Sequence, residues 1–330
     1  MTDAPPSPSP SAFARLADAA LEGSIVGSFT RIGPLVRRRL SPFAAPVARP
    51  GRTVVLTGAT SGLGRAAARM LGTLEMTVIA VGRDPQRLGE VAREIESAGG
   101  QAHPEACDLA DLDQTAALAA RVAAEHDRVD VLVHNAGALL SERATTPQGH
   151  EATVAVHLLS PHLLTALLRP QLEAADRAKV LTMTSGGMYT EAFDLDRLEM
   201  GDDYRGTVAY ARAKRAQVVW TVALDAAEPE DGIDLSLVHP GWAATPGVDS
   251  SLPTFARVLR PLLRSPEEGV DTLVWLCSLD PGVPPSGQLW LDRAPRPLFR
   301  LPSTRVDQQV LAAQGEELLA WLDRATGLRP

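Results

Sequence analysis

Lysine is nearly absent from this chain of 330 residues: Lys179 and Lys214 are the only two, and every other basic side chain apart from histidine is arginine. Cysteine is equally scarce. Cys107 falls at the end of a predicted strand and Cys277 in a predicted helix, and no Cys/His cluster has zinc spacing. We interpret them as buried thiols of a reducing compartment rather than as a disulfide or metal ligands. The net charge of −8 argues against a nucleic-acid partner.

Long apolar runs, targeting signals and internal repeats are missing as well. In the N-terminal region the longest apolar run is far below the ~20 residues needed to span a membrane. No apolar leader with a cleavage site marks a signal peptide. These absences predict a cytoplasmic protein. What the chain does have is 45% hydrophobic residues, ample for a core, and a length that allows one large domain or two small ones.

The N-terminal residues differ from the rest of the chain. Residues 1–11 are rich in proline and serine, which predicts a disordered tail. In residues 12–50, Ala12 to Leu21 is helical in character, and Ile25 to Leu40 mixes apolar residues with arginines. We favour an accessory helical segment packed on the fold. The alternative is an amphipathic segment that makes weak contact with a membrane surface or covers the substrate site.

From residue 53 onwards, predicted strands and helices alternate. The strands are 53–57, 76–82, 101–106, 129–134, 178–184, 233–239 and 287–291. The helices are near 63–74, 85–98, 112–126, 147–172, 206–227 and 266–279, and a last one covers about 307–325. Repeated βα units with apolar strands predict one α/β domain, 51–330, with a Rossmann-type, doubly wound parallel sheet of about seven strands and helices on both faces. Ligands of such sheets bind at the carboxyl ends of the strands.

A glycine-rich turn follows the first strand and opens the first helix of this domain. Its candidate nucleotide-binding residues are Thr57, Gly58, Thr60, Ser61, Gly62, Leu63 and Gly64. Strand, glycine turn and helix form the context that a dinucleotide site requires, because pyrophosphate approaches the backbone at the helix N-terminus. These flanks favour a nucleotide site over an ordinary glycine turn.

The end of the second strand bears on which nucleotide is bound. Many NAD-binding chains place an acidic residue here to bind the ribose 2′-hydroxyl. This chain has Gly82 followed by Arg83, and a guanidinium suits a 2′-phosphate. We therefore predict NADP(H) as the cofactor, with NAD(H) as a possible second one. The alternative is a solvated arginine ahead of a helix.

Other strand ends supply the remaining candidate cofactor residues. Asp108 and Leu109 follow the third strand, and Asp108 could accept from the adenine amino group. Small residues after the fourth strand would let the cofactor lie against the backbone, and a hydroxyl after the sixth could meet a carboxamide. These candidates are Asn135, Ala136, Gly137, Pro240, Gly241 and Thr245. A helix cap is the alternative for Asp108, although Asp111 is better placed to cap the next helix, and a plain turn is the alternative for Asn135 to Gly137.

Three polar side chains point to catalysis. Tyr210 and Lys214 are four residues apart on a predicted helix, so they share one face, and a nearby ammonium favours the phenolate. Such a tyrosine can act as general acid or base at neutral pH. Ser185, at the end of the fifth strand, is placed to hydrogen-bond a substrate oxygen or the Tyr210 hydroxyl. An accidental surface pair is the alternative for Tyr210 and Lys214.

Together these motifs, in this order and at these strand ends, resemble the short-chain dehydrogenase/reductase family in its compact one-domain branch, over about residues 52–292. Within it, the segments around 182–188 and 239–248 are similar to the dehydrogenase/reductase member-twelve group, near the retinol-dehydrogenase-like reductases. One departure is His157, where the family usually has a catalytic asparagine whose backbone helps to hold a water beside the lysine. We favour this backbone role for His157 over a role of its imidazole. Pro161 in the same helix predicts a kink.

The resemblance implies hydride transfer between NADPH and a carbonyl or alcohol substrate. Tyr210 would exchange the proton and bind the cofactor, Lys214 would lower its pKa and hold the nicotinamide ribose, and Ser185 would orient the substrate. Family members usually form dimers or tetramers through the helices near 147–172 and 206–227. A pocket of Met188, Tyr189, Phe193, Tyr204, Trp242 and 246–262 would suit a lipophilic carbonyl. The alternative is a cofactor-binding sensor or scaffold with little turnover.

Overall fold

The computed structural model describes residues 11–227, 232–245, 247 and 253–328. One mixed sheet has the strand order β3-β2-β1-β4-β5-β6-β7-β8. Its strands are β1 Thr53–Thr57, β2 Thr77–Gly82, β3 Gln101–Ala106, β4 Val131–His134, β5 Ala178–Met183, β6 Ile233–Val238, β7 Gln288–Leu291 and β8 Ala294–Arg296. The first seven pair in parallel, and β8 pairs antiparallel with β7. The predicted α/β fold and all seven predicted strands are confirmed; β8, three residues long, was not foreseen.

Helices cover both faces of this sheet. They are α1 Ala12–Gly23, α2 Ile25–Phe29, α3 Ile32–Leu40, α4 Gly62–Gly72, α5 Pro85–Ser97, α6 Leu112–Glu125, α8 Arg169–Glu173, α9 Gly206–Ala227, α10 Pro253–Leu259, α11 Pro266–Ser278 and α12 Gln308–Thr326. Between α6 and α8 lies α7, which comprises the α-helical turn Ala152–Val154, the π-helical stretch Ala155–Leu159 and the α-helix Ser160–Leu167. No helix among the described residues is both long and apolar enough to cross a membrane.

Alternate residues of the central strands belong to two apolar cores. Val54 and Leu56 of β1 pack with α4, α5 and α11 on one face, whereas Val55 packs with α6, α7 and α8 on the other. Successive side chains of a strand point to opposite faces, so an uninterrupted apolar strand serves both layers at once. Cys107 and Cys277 are buried free thiols, one in each core, as predicted.

The strand order reverses beside β1, and this reversal positions the candidate site. From β1 the chain turns to β2 and β3 on one side and resumes with β4 on the other. The loops that leave β1 and β4 therefore diverge and open a crevice at the carboxyl edge of the sheet.

The helix α7 adapts to Pro161 through its π-helical turn. Within the predicted helix near 147–172, regular structure begins only at Ala152 and breaks at Leu168. Because proline has no N–H, Pro161 cannot donate to the His157 carbonyl four residues earlier. The Gln217 side chain of α9 donates to that carbonyl instead, at 2.9 Å. The predicted disturbance is therefore a local change of helix type.

The N-terminal helices are held to the domain by buried ion pairs. Arg37 of α3 binds Asp18 at 2.6 Å and Glu22 at 2.7 Å, both on α1, and Asp292 after β7 at 2.5 Å. Asp292 also accepts from Arg264 at 2.6 Å. Residues 12–40 thus pack on the fold through charged side chains that face inward. Of the predicted tail, only Ser11 lies within the described residues, and it caps α1.

Candidate active site

The glycine turn after β1 is shaped by close backbone contacts. Gly58 has φ +69°, and a Cβ there would lie 2.8 Å from the Ala136 Cα. A Cβ on Gly64 would lie 1.9 Å from the Gly58 carbonyl oxygen. Thr57 fixes the turn against the loop after β4, because its hydroxyl accepts from the backbone N–H of Asn135 at 3.0 Å. Only glycine fits at both positions.

The N-terminus of α4 is open at this turn. Ser61 precedes the helix, and its side chain makes no capping hydrogen bond within the described part of the chain. The first N–H groups of α4 therefore remain available to an anion, which the helix dipole also favours. Thr60 packs over Gly82 of β2, where a Cβ would lie 2.5 Å from the threonine methyl group. Leu63 points into the core, so it can offer only its backbone to a ligand.

Arg83 lies at the end of β2, and its exposed side chain forms no ion pair with any described residue. Two other arginines, Arg65 and Arg87, form ion pairs. Arg65 binds Glu94 at 2.6 Å, and Arg87 binds Asp84 at 3.5 Å. Arg83 therefore presents an exposed guanidinium at the carboxyl end of β2.

The loops after β3 and β4 are ordered by their own polar groups. Asp108 accepts from the Ala110 N–H at 3.1 Å, and Asp111 caps α6, as the sequence suggested. The Leu109 carbonyl accepts from Ser160 at 2.6 Å. Asn135 donates to the Thr57 carbonyl at 2.9 Å, so this side chain braces the glycine turn. The Asn135 amide is therefore a structural group of the crevice.

Ser185 and Tyr210 meet at the end of β5. Ser185 begins the 3-10 turn Gly186–Tyr189, and Tyr210 lies in the second turn of α9. Burial raises the pKa of Tyr210 above its ordinary value, and a hydrogen bond with Ser185 opposes that rise. The sequence predicted the opposite direction for the Tyr210 pKa. The structure corrects this, because desolvation penalises the phenolate.

Lys214 lies one turn after Tyr210 and is fully enclosed by protein. Its Nζ donates to the Met183 carbonyl at 2.8 Å and lies 5.5 Å from the centre of the Tyr210 ring. Burial lowers the pKa of Lys214 to about 7.

His157 lies next to Tyr210, with the ring centres 5.4 Å apart. Its Nδ1 donates to the Thr153 carbonyl at 2.8 Å, so the lone pair of the neutral ring is at Nε2. That Nε2 is buried and has no hydrogen-bond partner among the described residues. A Cβ built on Gly137 would lie 3.0 Å from it and 3.9 Å from the Lys214 Nζ. Burial and the charge of Lys214 hold the pKa of His157 well below its ordinary value.

The aromatic ring of Phe29 packs on the loop after β6, a contact that the sequence did not predict. Gly241 donates its N–H to His239 Nδ1 at 2.8 Å, next to buried Pro240, and Thr245 lies half-buried further along. The Phe29 ring of α2 lies 4.3 Å from the His239 ring. The Phe29 carbonyl accepts the Trp242 N–H at 2.7 Å. Only a long-range contact links these residues, so no local pattern could have indicated it.

The predicted aromatic pocket is only partly right. Met188 and Tyr189 belong to a buried core, and the Tyr189 hydroxyl donates to the Pro297 carbonyl at 2.9 Å. They cannot wall a pocket without rearrangement. Phe193 packs against another core, whereas Tyr204 shares a hydrogen bond of 3.0 Å with Thr153. Trp242 remains half-buried. Residues 246 and 248–252 of the predicted pocket lie outside the described residues.

Known proteins share these features. Human dehydrogenase/reductase SDR family member 12 is 34% identical over 285 residues, which cover 84% of this chain and 89% of that protein. A protein of Streptomyces sp. strain C5, named provisionally as daunorubicin C-13 ketoreductase DnrU, is 39% identical over 255 residues, covering 76% and 86%. The crystal structure of a metagenomic short-chain oxidoreductase in complex with NADP matches with a TM-score of 0.56 at 29% identity, covering 73% and 96%. The family model for short chain dehydrogenase matches residues 52–254. The chain belongs to the short-chain dehydrogenase/reductase family.

Proposed function

We propose that this protein is an NADP-dependent carbonyl reductase and alcohol dehydrogenase in which Tyr210 is the general acid and base. The observation that carries the proposal is the convergence of Ser185, Tyr210 and Lys214 at the carboxyl edge of the sheet, beside a glycine cradle with an open helix N-terminus. Relatives of this family are NAD(P)-dependent oxidoreductases, and the name of the Streptomyces relative refers to a ketone.

The glycine turn after β1 and the N-terminus of α4 fit a dinucleotide. The backbone of Gly58 to Gly64 and the first turn of α4 would hold the pyrophosphate, and Arg83 would pair with the 2′-phosphate. Asp108 and Leu109 would border the adenine, and Asn135, Ala136 and Gly137 would lie along the cofactor. Pro240, Gly241 and Thr245 would border the nicotinamide amide. When bound, NADPH supplies the hydride.

The three polar side chains have distinct tasks in reduction. Because burial raises its pKa, Tyr210 stays protonated at neutral pH, which suits a proton donor to the carbonyl oxygen. Ser185 orients that oxygen with its hydroxyl. Protonated Lys214 then stabilises the phenolate as it forms and binds ribose hydroxyls. In oxidation, each proton moves in the reverse direction.

The substrate is proposed to be a lipophilic ketone, aldehyde or secondary alcohol. Half-buried Trp242 lies beside Gly186 with buried Phe29 packed behind it, and Ser185 is the polar anchor next to them. An apolar wall with one convergent polar group is typical of sites for lipophilic ligands.

The test is NADPH consumption with a panel of carbonyl compounds, for wild type beside Tyr210→Phe and Ser185→Ala. We expect turnover of apolar ketones or aldehydes by wild type and its loss in Tyr210→Phe, with NADPH binding retained. Absence of turnover in wild type despite NADPH binding would instead support the second candidate, a cofactor-binding sensor or scaffold. The replacement of the usual catalytic asparagine by His157 is the observation that favours this second candidate.

We also propose a homodimer or homotetramer built through α7 and α9. Closed symmetric assemblies are the common outcome for such enzymes. Light scattering at micromolar concentration tests this; a monomer throughout would contradict it.

A further inference from the structure

The N-terminal helices expose an unusual number of apolar side chains. Twelve large apolar side chains are exposed in the described residues, and half of them lie between positions 13 and 35. These six are Phe13, Leu16, Ile25, Val26, Ile32 and Leu35. Single exposed apolar residues are ordinary, whereas a concentration of them is typical of a contact surface.

Helix α1 has its polarity reversed relative to a helix on a water-exposed surface. Its acidic residues Asp18 and Glu22 face the domain, where they bind Arg37 and Arg296. Phe13 and Leu16, three residues apart, face outward and are 73% and 72% exposed. A surface helix in water normally shows the opposite arrangement.

The same reversal continues in α2 and α3. In α2, Ile25 and Val26 are exposed, whereas Ser28 is buried and binds Glu22 at 2.7 Å. In α3, the charged Arg37 is buried and Leu35 is 52% exposed. Three consecutive helices therefore direct apolar side chains outward and use charge to hold themselves to the domain.

The exposed charges around these side chains are all positive. Asp18 and Glu22 are the only acidic residues between positions 11 and 40, and both bind arginines that face inward. Arg31 and Arg39 are exposed beside Ile32 and Leu35, whereas Arg38, also exposed, binds Asp271 at 3.2 Å. In a chain with a net charge of −8, the absence of acidic residues from 23–40 is a distinct local feature.

The segment at α10 also exposes apolar and basic side chains. The Arg31 N–H donates to the Leu262 carbonyl at 2.9 Å, so the end of α10 and the turn after it adjoin α3. Val258 in α10 is 69% exposed, and Arg257 and Arg260 beside it are exposed too. Residues 253–262 contain no acid. We call the outward side of α1 to α3 together with residues 257–260 the cationic apolar face.

We propose that the cationic apolar face binds the surface of a membrane rich in anionic lipids, with α1 and α3 lying in the interface. Apolar side chains would enter the acyl boundary, and the arginines would bind the phosphates of the head groups. A second copy of the chain fits less well. In a symmetric dimer the same patch would meet itself, which places arginines against arginines.

This surface adjoins the candidate active site. Phe29, at the end of α2, packs on His239, and its ring lies 3.5 Å from where a Cβ of Gly186 would stand, next to Ser185. Docking through α1 to α3 would therefore bring the crevice close to the lipid. The inference does not depend on the reaction proposed above, because the face is defined by exposure and charge alone.

The test is co-sedimentation of the full chain with vesicles of phosphatidylcholine, and with vesicles of phosphatidylcholine and phosphatidylglycerol. We expect strong binding to the mixed vesicles only. Leu35→Gln should weaken it about tenfold, since one leucine side chain no longer enters the acyl boundary. Arg39→Gln should weaken it roughly fivefold, the loss of one basic residue near an anionic surface. Val310→Gln, an exposed apolar side chain of α12, is the matched control and should bind like wild type.

Three results would overturn the proposal. The first is equal binding of wild type and Leu35→Gln, and the second is binding of wild type without preference for the anionic vesicles. The third is concentration-dependent self-association of wild type that Leu35→Gln abolishes, which would assign the face to a second copy. Because Leu35 and Arg39 point outward, thermal unfolding of both variants should match that of wild type.

Discussion

Lys214 should have a pKa near 7, and this value has an energetic consequence that can be measured. Burial lowers its pKa from 10.5 to about 7. Each unit corresponds to ~1.36 kcal/mol, so the charged lysine destabilises the folded state by at most about 5 kcal/mol. Lys214→Met removes this penalty but also loses the hydrogen bond to Met183, worth about 1–3 kcal/mol. We expect the free energy of unfolding to rise by roughly 2–4 kcal/mol near pH 6.

The gain should depend on pH in a specific direction. Below about pH 7 the lysine is charged in the folded and the unfolded chain, and the whole penalty applies. Between about pH 7 and 10.5 only the unfolded chain binds the proton, so wild-type stability rises with pH across this window. The advantage of Lys214→Met should therefore shrink across it, and urea unfolding at several pH values measures the change.

The second lysine provides an internal comparison. Lys179 is also buried, donates to the Asp280 carbonyl at 2.8 Å, and has its pKa lowered to about 8. In protein labelled with ¹³C-lysine, the two side chains should give two signals that titrate near these values, with Lys179→Arg as the assignment control. A Lys214 signal that titrates near 10.5, or a Lys214→Met variant less stable than wild type near pH 6, would refute the reasoning.

Three further predictions concern the proposed reaction. Arg83→Ala should weaken NADPH binding by about 1.5–3 kcal/mol and leave NADH binding unchanged; equal loss for both cofactors in titrations would contradict the 2′-phosphate role. Tyr210→Phe should abolish turnover, whereas Lys214→Ala should impair both turnover and cofactor binding; substantial activity in Tyr210→Phe would remove Tyr210 from proton transfer. His157→Asn should alter turnover by less than about tenfold and should leave every limb of the pH–rate profile in place, because the imidazole stays neutral at pH 6.5 and a limb near pH 7 belongs to Lys214; a wild-type limb near pH 6.5 that vanishes in the variant would show that the ring titrates.

The order of strands and helices could be predicted because most of these elements have a recognisable pattern in their own sequence. The apolar run Val54 to Leu56 is continuous because both faces of β1 are covered, and Asp111 caps α6 through its own side chain. The short strand β8 was missed because three residues that include Pro295 carry no strand pattern. Local chemistry thus accounts for the elements that form without distant partners.

Sequence spacing could bring the side chains of the candidate site together, but it could not give their electrostatics. Spacing placed Lys214 near Tyr210, yet the directions of their pKa shifts depend on how completely distant segments enclose them. The contribution of Phe29 was also hidden, since it arises from the packing of α2 on His239. For the N-terminal helices, the sequence alone did not show that Asp18 and Glu22 face inward, because their partners include Arg296 near the other end of the chain.

The surroundings of the two lysines show what these positions have in common. Both ammonium groups are buried, and both donate to backbone carbonyls, Lys179 at the opposite edge of the sheet from Lys214. A guanidinium is larger and stays charged in any such site, whereas a lysine can lose its proton when it is enclosed. Retention of lysine therefore does not by itself indicate catalysis, because Lys179 is kept at a backbone contact away from Tyr210. What distinguishes Lys214 is its place near Tyr210 and the buried Nε2 of His157, which has no hydrogen-bond partner among the described residues.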